Sequence, residues 1–205
     1  MASDVIIHIV DDEEPVRKSL AFLLSISGFA ARAHESATAF LSVASGLRSA
    51  CLITDLRMPD MSGVELLHRL REQDAMLPTI VITGHGDVPM AVEAMKAGAL
   101  DFIEKPFADD VLLAAVERSV AELEKRPRTE DDGEAIRNRL TELSDRERQV
   151  MRGVVAGLPN KTIAYDLDIS PRTVEVHRAN VMAKMQARSL PELVRMVLAA
   201  GETAD

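Results

Sequence analysis

The stretch that decides the fold is CLITDLRMPDMSG, residues 51–63. It passes from a short apolar run into one aspartate, Asp55, and then into Met58-Pro59. An apolar run bounded by turn residues predicts a buried strand, which here ends at Asp55. No serine, cysteine or evident base lies directly beside this carboxylate. Its neighbours in the sequence therefore do not explain its function, and residues from other parts of the chain have to.

Length and composition bound the class of protein. A chain of 205 residues with 47% hydrophobic and 28% charged residues is typical of a globular protein of two domains, about 100 residues each. No apolar run approaches the roughly 20 residues of a membrane helix, and the first ten residues lack the basic start of a signal peptide. The single cysteine, Cys51, cannot form an internal disulfide, so we expect a cytoplasmic protein with no membrane partner.

Missing motifs argue against several kinds of chemistry, and the uneven distribution of charge indicates which half of the chain could bind nucleic acid. The five histidines show no HExxH spacing and no CxxC pair occurs, which argues against zinc. Neither GxGxxG nor GxxxxGK(S/T) occurs, which argues against dinucleotide and P-loop chemistry. Residues 1–124 carry 20 acidic and 10 basic side chains, whereas residues 142–205 carry 9 of each. We therefore expect nucleic acid to contact only the second half.

Five short apolar runs alternate with helical patterns as far as residue 124. The predicted strands are 5–10, 30–33, 51–54, 79–83 and 101–104. Between them, apolar residues spaced at i, i+3 and i+4 predict helices at 15–27, 36–44, 62–72 and 87–99. Because parallel strands need helical crossovers, the pattern predicts an α/β domain. We expect a doubly wound, five-stranded parallel sheet, and by analogy with flavodoxin-like folds we expect the strand order 2-1-3-4-5.

The strand signal disappears after residue 124. Residues 125–141 are charged, contain a proline and a glycine, and are predicted to be a linker. Beyond them the sequence predicts an all-α domain of four helices, at 144–157, 160–168, 170–185 and 189–200. Their expected caps are Ser144, Asn160, Ser170 and Ser189. The predicted organisation is thus a first domain at 1–124, a linker at 125–141 and a helical domain at 142–205.

Polar side chains follow the carboxyl ends of the predicted strands, where open parallel sheets form their sites. They are Asp11, Asp12, Asp55, Thr83 and Lys105. Crowded acids repel one another unless a hard cation such as Mg²⁺ joins them. A carboxylate needs no base to act as a nucleophile, so Asp55 is predicted to accept a phosphoryl group, with Mg²⁺ and Lys105 neutralising the transferring oxygens. Any one of these residues alone is ordinary turn chemistry; five at matching strand ends are not.

The chain resembles a known family in four motifs, which are VDDEEPVR (10–17), TDLRMPDMSG (54–63), VITGHGD (81–87) and EKPF (104–107). They resemble the receiver domain of bacterial two-component response regulators, and residues 142–205 resemble the LuxR-type helix-turn-helix output. The resemblance implies an acidic pocket and a phosphorylated aspartate, with the roles carried by Asp11, Asp12, Asp55, the backbone of Arg57 as a metal ligand, Thr83 and Lys105. It also implies a cognate sensor histidine kinase. The resemblance extends to a regulator of rhizobial nitrogen fixation, whose kinase is a haem-based oxygen sensor.

The resemblance further implies a switch that connects this site to one face of the domain. A phosphoryl group beside Thr83 can draw the hydroxyl inward and leave space for Phe102, which stands where many receivers carry tyrosine. From the residues alone, Phe102 is better explained as a core aromatic; only the resemblance favours the switch. The expected dimer face after phosphorylation lies on helix 4 and strand 5, near Val92, Lys96 and Asp101.

The third helix of the second half has the pattern of a recognition helix. At 100° per residue, Val174, Val181 and Met185 form one stripe that should be core. The opposite stripe, predicted to face bases, holds Arg172, Val176, Ala179 and Ala183, with Glu175 and Asn180 at its edges. The predicted phosphate contacts are Lys161, Thr162, Thr173, His177 and Lys184. A solvated surface role is the simple alternative for each of these contacts, and a structural role is the alternative for His177.

Three classes of function remain open. The first is a transcription activator, a homodimer when phosphorylated, whose only chemistry is phosphoryl acceptance and slow autodephosphorylation. The second is an aspartyl-phosphatase type of enzyme, which needs an acid where this chain has Arg57. The third is an adaptor whose helical half binds protein rather than DNA. Since 205 residues leave no room for a σ54-type ATPase module, the expected partners of the activator are promoter DNA and RNA polymerase of σ70 type.

Overall fold

The computed structural model describes residues 5–47, 49–84, 88–124 and 130–201. Strands and helices alternate first, in the order β1 (Ile6–Val10), α1 (Glu14–Ile26), β2 (Ala30–His34), α2 (Ala37–Ala44), β3 (Ala50–Asp55), α3 (Gly63–Glu72), β4 (Thr79–Thr83), α4 (Val88–Ala97), β5 (Asp101–Glu104) and α5 (Asp109–Glu124). Helices alone follow, as α6 (Glu130–Thr141), α7 (Asp145–Val155), α8 (Asn160–Asp166), α9 (Pro171–Met185) and α10 (Leu190–Ala199). The described residues form two compact units: those within Met1–Gly86 and Ala97–Lys125 form the first, and those within Asp87–Lys96 and Arg126–Asp205 form the second.

The five strands form one parallel sheet in the order β2-β1-β3-β4-β5. This confirms the predicted fold class and strand order. Alternate residues of the central strands enter two separate cores, because side chains of a strand point to opposite faces. Ile7, Ile9 and Ile53 pack in the core that includes residues of α1 and α5, while Val10 and Leu52 pack in the core formed with α2 and α3. Both faces of the sheet are therefore covered, as a parallel sheet requires.

The segment predicted to be a linker contains a helix. Helix α6 spans Glu130–Thr141, within the predicted linker at 125–141, where four acids and a glycine obscure the helical pattern. Its last turn belongs to the packed second unit, since Leu140 is 3% exposed and Nη1 of Arg139 donates to the carbonyl of Met185 at 3.4 Å. A largely polar helix with one buried side leaves little apolar periodicity to detect.

The second unit is ordered by its caps and a small apolar core. Ser144 forms a full capping box with Glu147, and the hydroxyls of Ser170 and Ser189 accept from the backbone of their first turns. Asn160 differs from the prediction, because it is the first residue of α8 rather than its cap, and its Oδ1 accepts from Nη1 of Arg178 at 2.7 Å. The core contains residues of three helices, namely Val150, Val154, Ile163, Ala164 and Val174. Within the described part of the chain, no helix has the length and apolarity needed to cross a membrane.

Two imidazoles are buried next to each other where β1 pairs with β2. His8 and His34 are 1% and 8% exposed, and Nδ1 of His8 lies 2.9 Å from Nε2 of His34. The ring of Phe40 packs against both. Burial, followed by the charges of His34 and Arg32, lowers the pKa of His8 to about 4. Burial and Arg32 also lower the pKa of His34, so both rings are neutral at pH 7.

This pair makes the stability of the sheet depend on pH in a defined direction. An unfolded histidine takes up a proton near pH 6.5, whereas folded His8 resists protonation down to about pH 4. The stability that the neutral pair contributes is therefore complete above pH 6.5 and is lost as the pH falls from 6.5 towards 4. Replacing both residues, with His8→Leu and His34→Leu, should flatten that part of the profile.

The measurement is the urea midpoint reported by hydrogen-exchange protection of β1, taken at pH 7, 6 and 5. The matched control is His68→Leu, because His68 is exposed on α3 and should follow the native protein. Equal loss of midpoint in the double variant and the native protein would contradict the assignment of acid sensitivity to the buried pair.

Candidate functional site

Three charged side chains meet at the carboxyl edge of the sheet. Nζ of Lys105, which follows β5, lies 2.9 Å from Oδ1 of Asp55 at the end of β3. The same ammonium lies 3.3 Å from Oδ2 of Asp11, which follows β1. The side chains of Lys105, Asp55 and Asp11 are 24%, 11% and 4% exposed. The structure thus brings together these three of the five residues predicted to meet at the strand ends.

Both carboxylate oxygens of Asp55 are held. Oδ1 accepts from Lys105, and Oδ2 accepts from the backbone N–H of Arg57 at 2.6 Å. The strand ends themselves are tied by backbone bonds, since Leu56 N–H donates to the carbonyl of Ile82 and Lys105 N–H to that of Thr83. Asp55 and Lys105 are therefore fixed relative to each other by the sheet as well as by their own contact.

The electrostatics of the cluster follow from burial and from the bridging lysine. Burial raises the pKa of the Asp11 carboxyl, although the N–H of Glu13 and the charge of Lys105 oppose the rise. Burial alone would lower the pKa of Lys105, but hydrogen bonds and attraction from Asp55 and Asp11 outweigh it and raise that pKa. Lys105 is consequently a firmly charged ammonium in contact with two acids.

The predicted magnesium ligands fit the ion by chemistry, although they are not gathered as ligands. The carboxylates of Asp11, Asp12 and Asp55 and the carbonyl of Arg57 are the hard oxygen donors that Mg²⁺ prefers. Asp12 is exposed, while Asp11 and Asp55 both contact Lys105. Among the residues that the structure describes, no group of three or more His, Cys, Asp or Glu side chains is arranged to hold a metal ion.

The predicted switch residues lie along β4 and β5. Thr83 is 1% exposed at the end of β4, and Phe102 on β5 is partly buried. In the predicted dimer face, Val92 is 1% exposed and Asp101 is ion-paired with Arg118. Lys96 is exposed. The dimer face stays a prediction.

Gly63 was not singled out from the sequence, and it lets helix α3 approach the backbone of Asp55 closely. A Cβ at Gly63 would lie 2.6 Å from the carbonyl oxygen of Asp55 and 3.2 Å from Cα of Leu56. Helix α3 therefore begins in direct contact with the end of β3, and only glycine fits there. The available signal was a glycine at the first helical position immediately after the cap Ser62, where a better helix former would be expected.

Helix α9 presents the stripe that the sequence predicts. Val174, Val181 and Met185 are buried, which confirms the predicted core stripe. The exposed residues include the whole predicted base-facing set, namely Arg172, Glu175, Val176, Ala179, Asn180 and Ala183. Lys161 and Thr162 are exposed at the start of α8. The face of α9 that a recognition helix would turn towards DNA is thus exposed.

Lys184 is placed differently from the expectation that it contacts phosphate. Its Nζ lies 2.7 Å from Oε2 of Glu147 and donates to the carbonyl of Glu142 at 3.1 Å. Glu147 is 5% exposed. Its pKa is lowered to about 2, first by the Lys184 hydrogen bond and then by the backbone N–H of Ser144. Lys184 therefore joins the end of α9 to the start of α7.

Two further residues predicted to contact phosphate also face inward in part. The hydroxyl of Thr173 lies 2.8 Å from that of Ser170, at the cap of α9. His177 is partly buried, and its Nδ1 is buried without a hydrogen-bond partner among the described residues. This position supports the structural alternative for His177. The sequence could not separate the two roles, because both residues lie at the border between the core stripe and the exposed stripe.

Comparison with known proteins identifies both halves of the chain. Residues 7–117 match the response regulator receiver domain, and residues 141–197 match bacterial regulatory proteins of the luxR family. The transcriptional regulatory protein FixJ of Rhizobium meliloti (strain 1021) is 67% identical over 199 residues, which cover 97% of this chain and 98% of that protein. FixJ of Azorhizobium caulinodans is 56% identical over 201 residues, covering 98% and 95%. The crystal structure of full-length FixJ from B. japonicum is 50% identical, with a TM-score of 0.59 and coverage of 97% and 98%.

The chain therefore belongs to the response regulators that join a receiver domain to a LuxR-type DNA-binding domain. Within that family it is similar to the FixJ proteins over nearly its whole length. It is a phosphorylation-activated regulator of transcription. The adaptor interpretation of the helical half is not favoured, since that half matches a family of regulatory DNA-binding domains.

The contact of Gly63 with Asp55 predicts the effect of adding one methyl group. Gly63→Ala should destabilise the sheet unit by about 1–3 kcal/mol, because the new Cβ meets backbone that has to shift. It should also slow uptake of a phosphoryl group from acetyl phosphate, followed by intact mass. Gly46→Ala is the control, because nothing lies within 4 Å of a Cβ built there. If Gly63→Ala and Gly46→Ala behaved alike, the inference that Gly63 helps to position Asp55 would be wrong.

Proposed function

We propose that Asp55 is the phosphoacceptor. The observation that carries this proposal is the cluster of Asp55, Lys105 and Asp11 at the carboxyl ends of three parallel strands. A carboxylate oxygen of Asp55 attacks phosphorus, the bond between phosphorus and the donor breaks, and the donor leaves with the electron pair. The product is an aspartyl phosphate. No general base is needed, since a carboxylate has no proton to lose before it attacks.

The neighbouring residues position the nucleophile and balance charge. The N–H of Arg57 fixes the carboxylate of Asp55 through Oδ2, and Lys105 contacts Oδ1. The ammonium can follow the developing negative charge from the carboxylate to the transferred oxygens. Asp11 limits how far Lys105 moves, because it holds the other side of the same ammonium.

Mg²⁺ would be held by the carboxylates of Asp11, Asp12 and Asp55 and the carbonyl of Arg57. When bound, it supplies neutralisation of charge on the transferring oxygens. The hard-oxygen character of these groups supports the assignment, and so does the exposed position of Asp12.

The consequence of phosphorylation is proposed to be dimerisation through α4 and β5. Thr83 and Phe102 would transmit the change, with Val92, Lys96 and Asp101 at the dimer face. The position of Thr83 at the end of β4, next in the sheet to the strand that carries Asp55, supports its role. Apart from accepting and slowly losing a phosphoryl group, the protein is proposed to have no enzyme activity.

The domain boundaries and partners follow from the same similarity. We place the receiver at 1–124, the linker at 125–141 and the DNA-binding domain at 142–205, close to the family matches at 7–117 and 141–197. The last turn of α6 is the part of this linker that packs with the DNA-binding domain. The phosphoryl donor would be a FixL-like sensor histidine kinase, and the output would be activation of nitrogen-fixation genes under low oxygen. Promoter DNA and σ70-type RNA polymerase are the other proposed partners, which requires the cytoplasm as the site of action.

The phosphoacceptor assignment predicts a specific loss in Asp55→Asn. The amide is nearly isosteric and cannot form the acyl phosphate, so phosphorylation should be abolished while the fold is kept. Acetyl phosphate with Mg²⁺, followed by intact mass and sedimentation, measures the adduct and the dimer together. Asp60→Asn is the control, because Asp60 lies in the same loop and bonds Thr38 instead. An undiminished adduct in Asp55→Asn would refute the assignment.

The exposed stripe of α9 predicts a second, separate outcome. Arg172→Ala in the phosphorylated full-length protein should weaken promoter binding by about 1–3 kcal/mol and relax the sequence preference at one base pair, because this arginine is predicted to face bases. Arg152→Ala is a matched control, as Arg152 is an exposed arginine on α7. Gel-shift titrations with the promoter and with single-base-pair variants of it, at one salt concentration, give both quantities. An unchanged promoter affinity of Arg172→Ala would remove this residue from the DNA contacts.

A further inference from the structure

Arg17 contacts the acidic loop, which is residues 11–13 between β1 and α1, and none of the assigned roles uses this contact. Its guanidinium Nη1 donates to the backbone carbonyl of Asp11 at 2.7 Å. Arg17 lies in the first half of α1 and is partly buried. The Arg17 side chain thus connects α1 to Asp11, the first residue after β1.

The bonded carbonyl is the one that joins Asp11 to Asp12. A peptide unit is planar, so holding its oxygen sets the orientation of the whole Asp11–Asp12 peptide and the directions in which the two side chains leave it. A second bond acts on the same turn, because Oδ1 of Asp11 accepts from the N–H of Glu13 at 2.8 Å. The acidic loop is therefore held at its backbone by Arg17 and at one carboxylate by its own turn.

We propose that Arg17 is a positioning residue for phosphoryl transfer, which orients the Asp11–Asp12 peptide and thereby the two acids that face Mg²⁺. The inference rests on the proposed role of the acidic loop. The guanidinium suits this role better than an ammonium would, because its planar array of donors fixes a direction, whereas an ammonium rotates freely. Arg17 touches neither carboxylate of the cluster in the contacts that the structure gives, so it acts through the backbone.

The adjacent residue supplies a matched control. Lys18 carries the same charge one position further along α1, but its side chain is 77% exposed and pairs with Glu14 at 2.6 Å. Removing Lys18 tests whether the loss of any positive charge from α1 weakens Mg²⁺ binding. Removing Arg17 tests the contact with the carbonyl of Asp11.

The experiment compares Arg17→Met, Arg17→Lys and Lys18→Met in the full-length protein. Mg²⁺ affinity is measured by calorimetric titration without any phosphoryl donor, at a temperature at which thermal unfolding shows every variant to be folded. The rate of phosphorylation by acetyl phosphate is then measured against Mg²⁺ concentration. Arg17→Met should weaken Mg²⁺ binding about tenfold, as expected when a residue that orients metal ligands is lost. Arg17→Lys should restore part of the affinity, and Lys18→Met should match the native protein.

The outcomes separate positioning from simple stabilisation. A lower unfolding temperature for Arg17→Met with unchanged Mg²⁺ affinity would overturn the proposal, and so would equal weakening by Lys18→Met. If Arg17→Met did not fold, a native Mg²⁺ affinity in Arg17→Lys would equally overturn it, while weaker binding would support it. Asp55→Asn is included as a reference: a phosphoryl adduct in that variant would refute the proposed phosphoacceptor, yet the Mg²⁺ titrations of the Arg17 variants would still test the inference.

Discussion

The site depends on one ammonium shared by two acids from different strands. Without Lys105, the carboxylates of Asp11 and Asp55 would face each other with little water to screen them, since they are 4% and 11% exposed. Two like charges in that position repel each other unless a positive charge lies between them. Lys105 balances both charges because of the strand order, in which β3 lies between β1 and β4, and β5 follows β4. From the end of β5, a four-carbon side chain can reach Asp55 and Asp11 together. The charge balance of the pocket is thus a property of the strand order.

The positions of the strands along the chain were the part that the sequence predicted best, and the reason is physical; their order in the sheet came from analogy with flavodoxin-like folds. Buried parallel strands are short apolar runs, and their ends are marked by residues such as Asp55 and Lys105 that cannot remain in the core. Directions of side chains are harder to obtain from sequence. Nothing in the spacing of α9 says that Lys184 turns towards Glu147, because that choice is made by a buried carboxylate on another helix. Gly63 was missed for a related reason, since its importance lies in the atom it lacks and in the backbone it approaches.

The helical half follows the same division between pattern and partner. The stripe of Val174, Val181 and Met185 was predictable, because a 3.6-residue period decides which face is buried. The exposure of Arg172 and Asn180 follows from the same period. Helix α6 was not predictable in this way. Leu140 is buried, but the sequence of this helix is mostly polar and shows little apolar periodicity. Periodicity therefore identifies helices that are half buried and overlooks those that only touch the core.

The loop between β3 and α3 is closed at its base by a backbone hydrogen bond. The N–H of Gly63 donates to the carbonyl of Leu56 at 2.9 Å, so the chain leaves and re-enters the sheet edge at almost the same point. Farther out, the carboxylate of Asp60 accepts from both the N–H and the hydroxyl of Thr38 on α2. A change of length beyond Arg57, whose N–H holds Asp55, would be felt by α2 rather than by Asp55. The loop is therefore a place where the sequence can drift, or carry an insertion, while the chemistry at its base is kept.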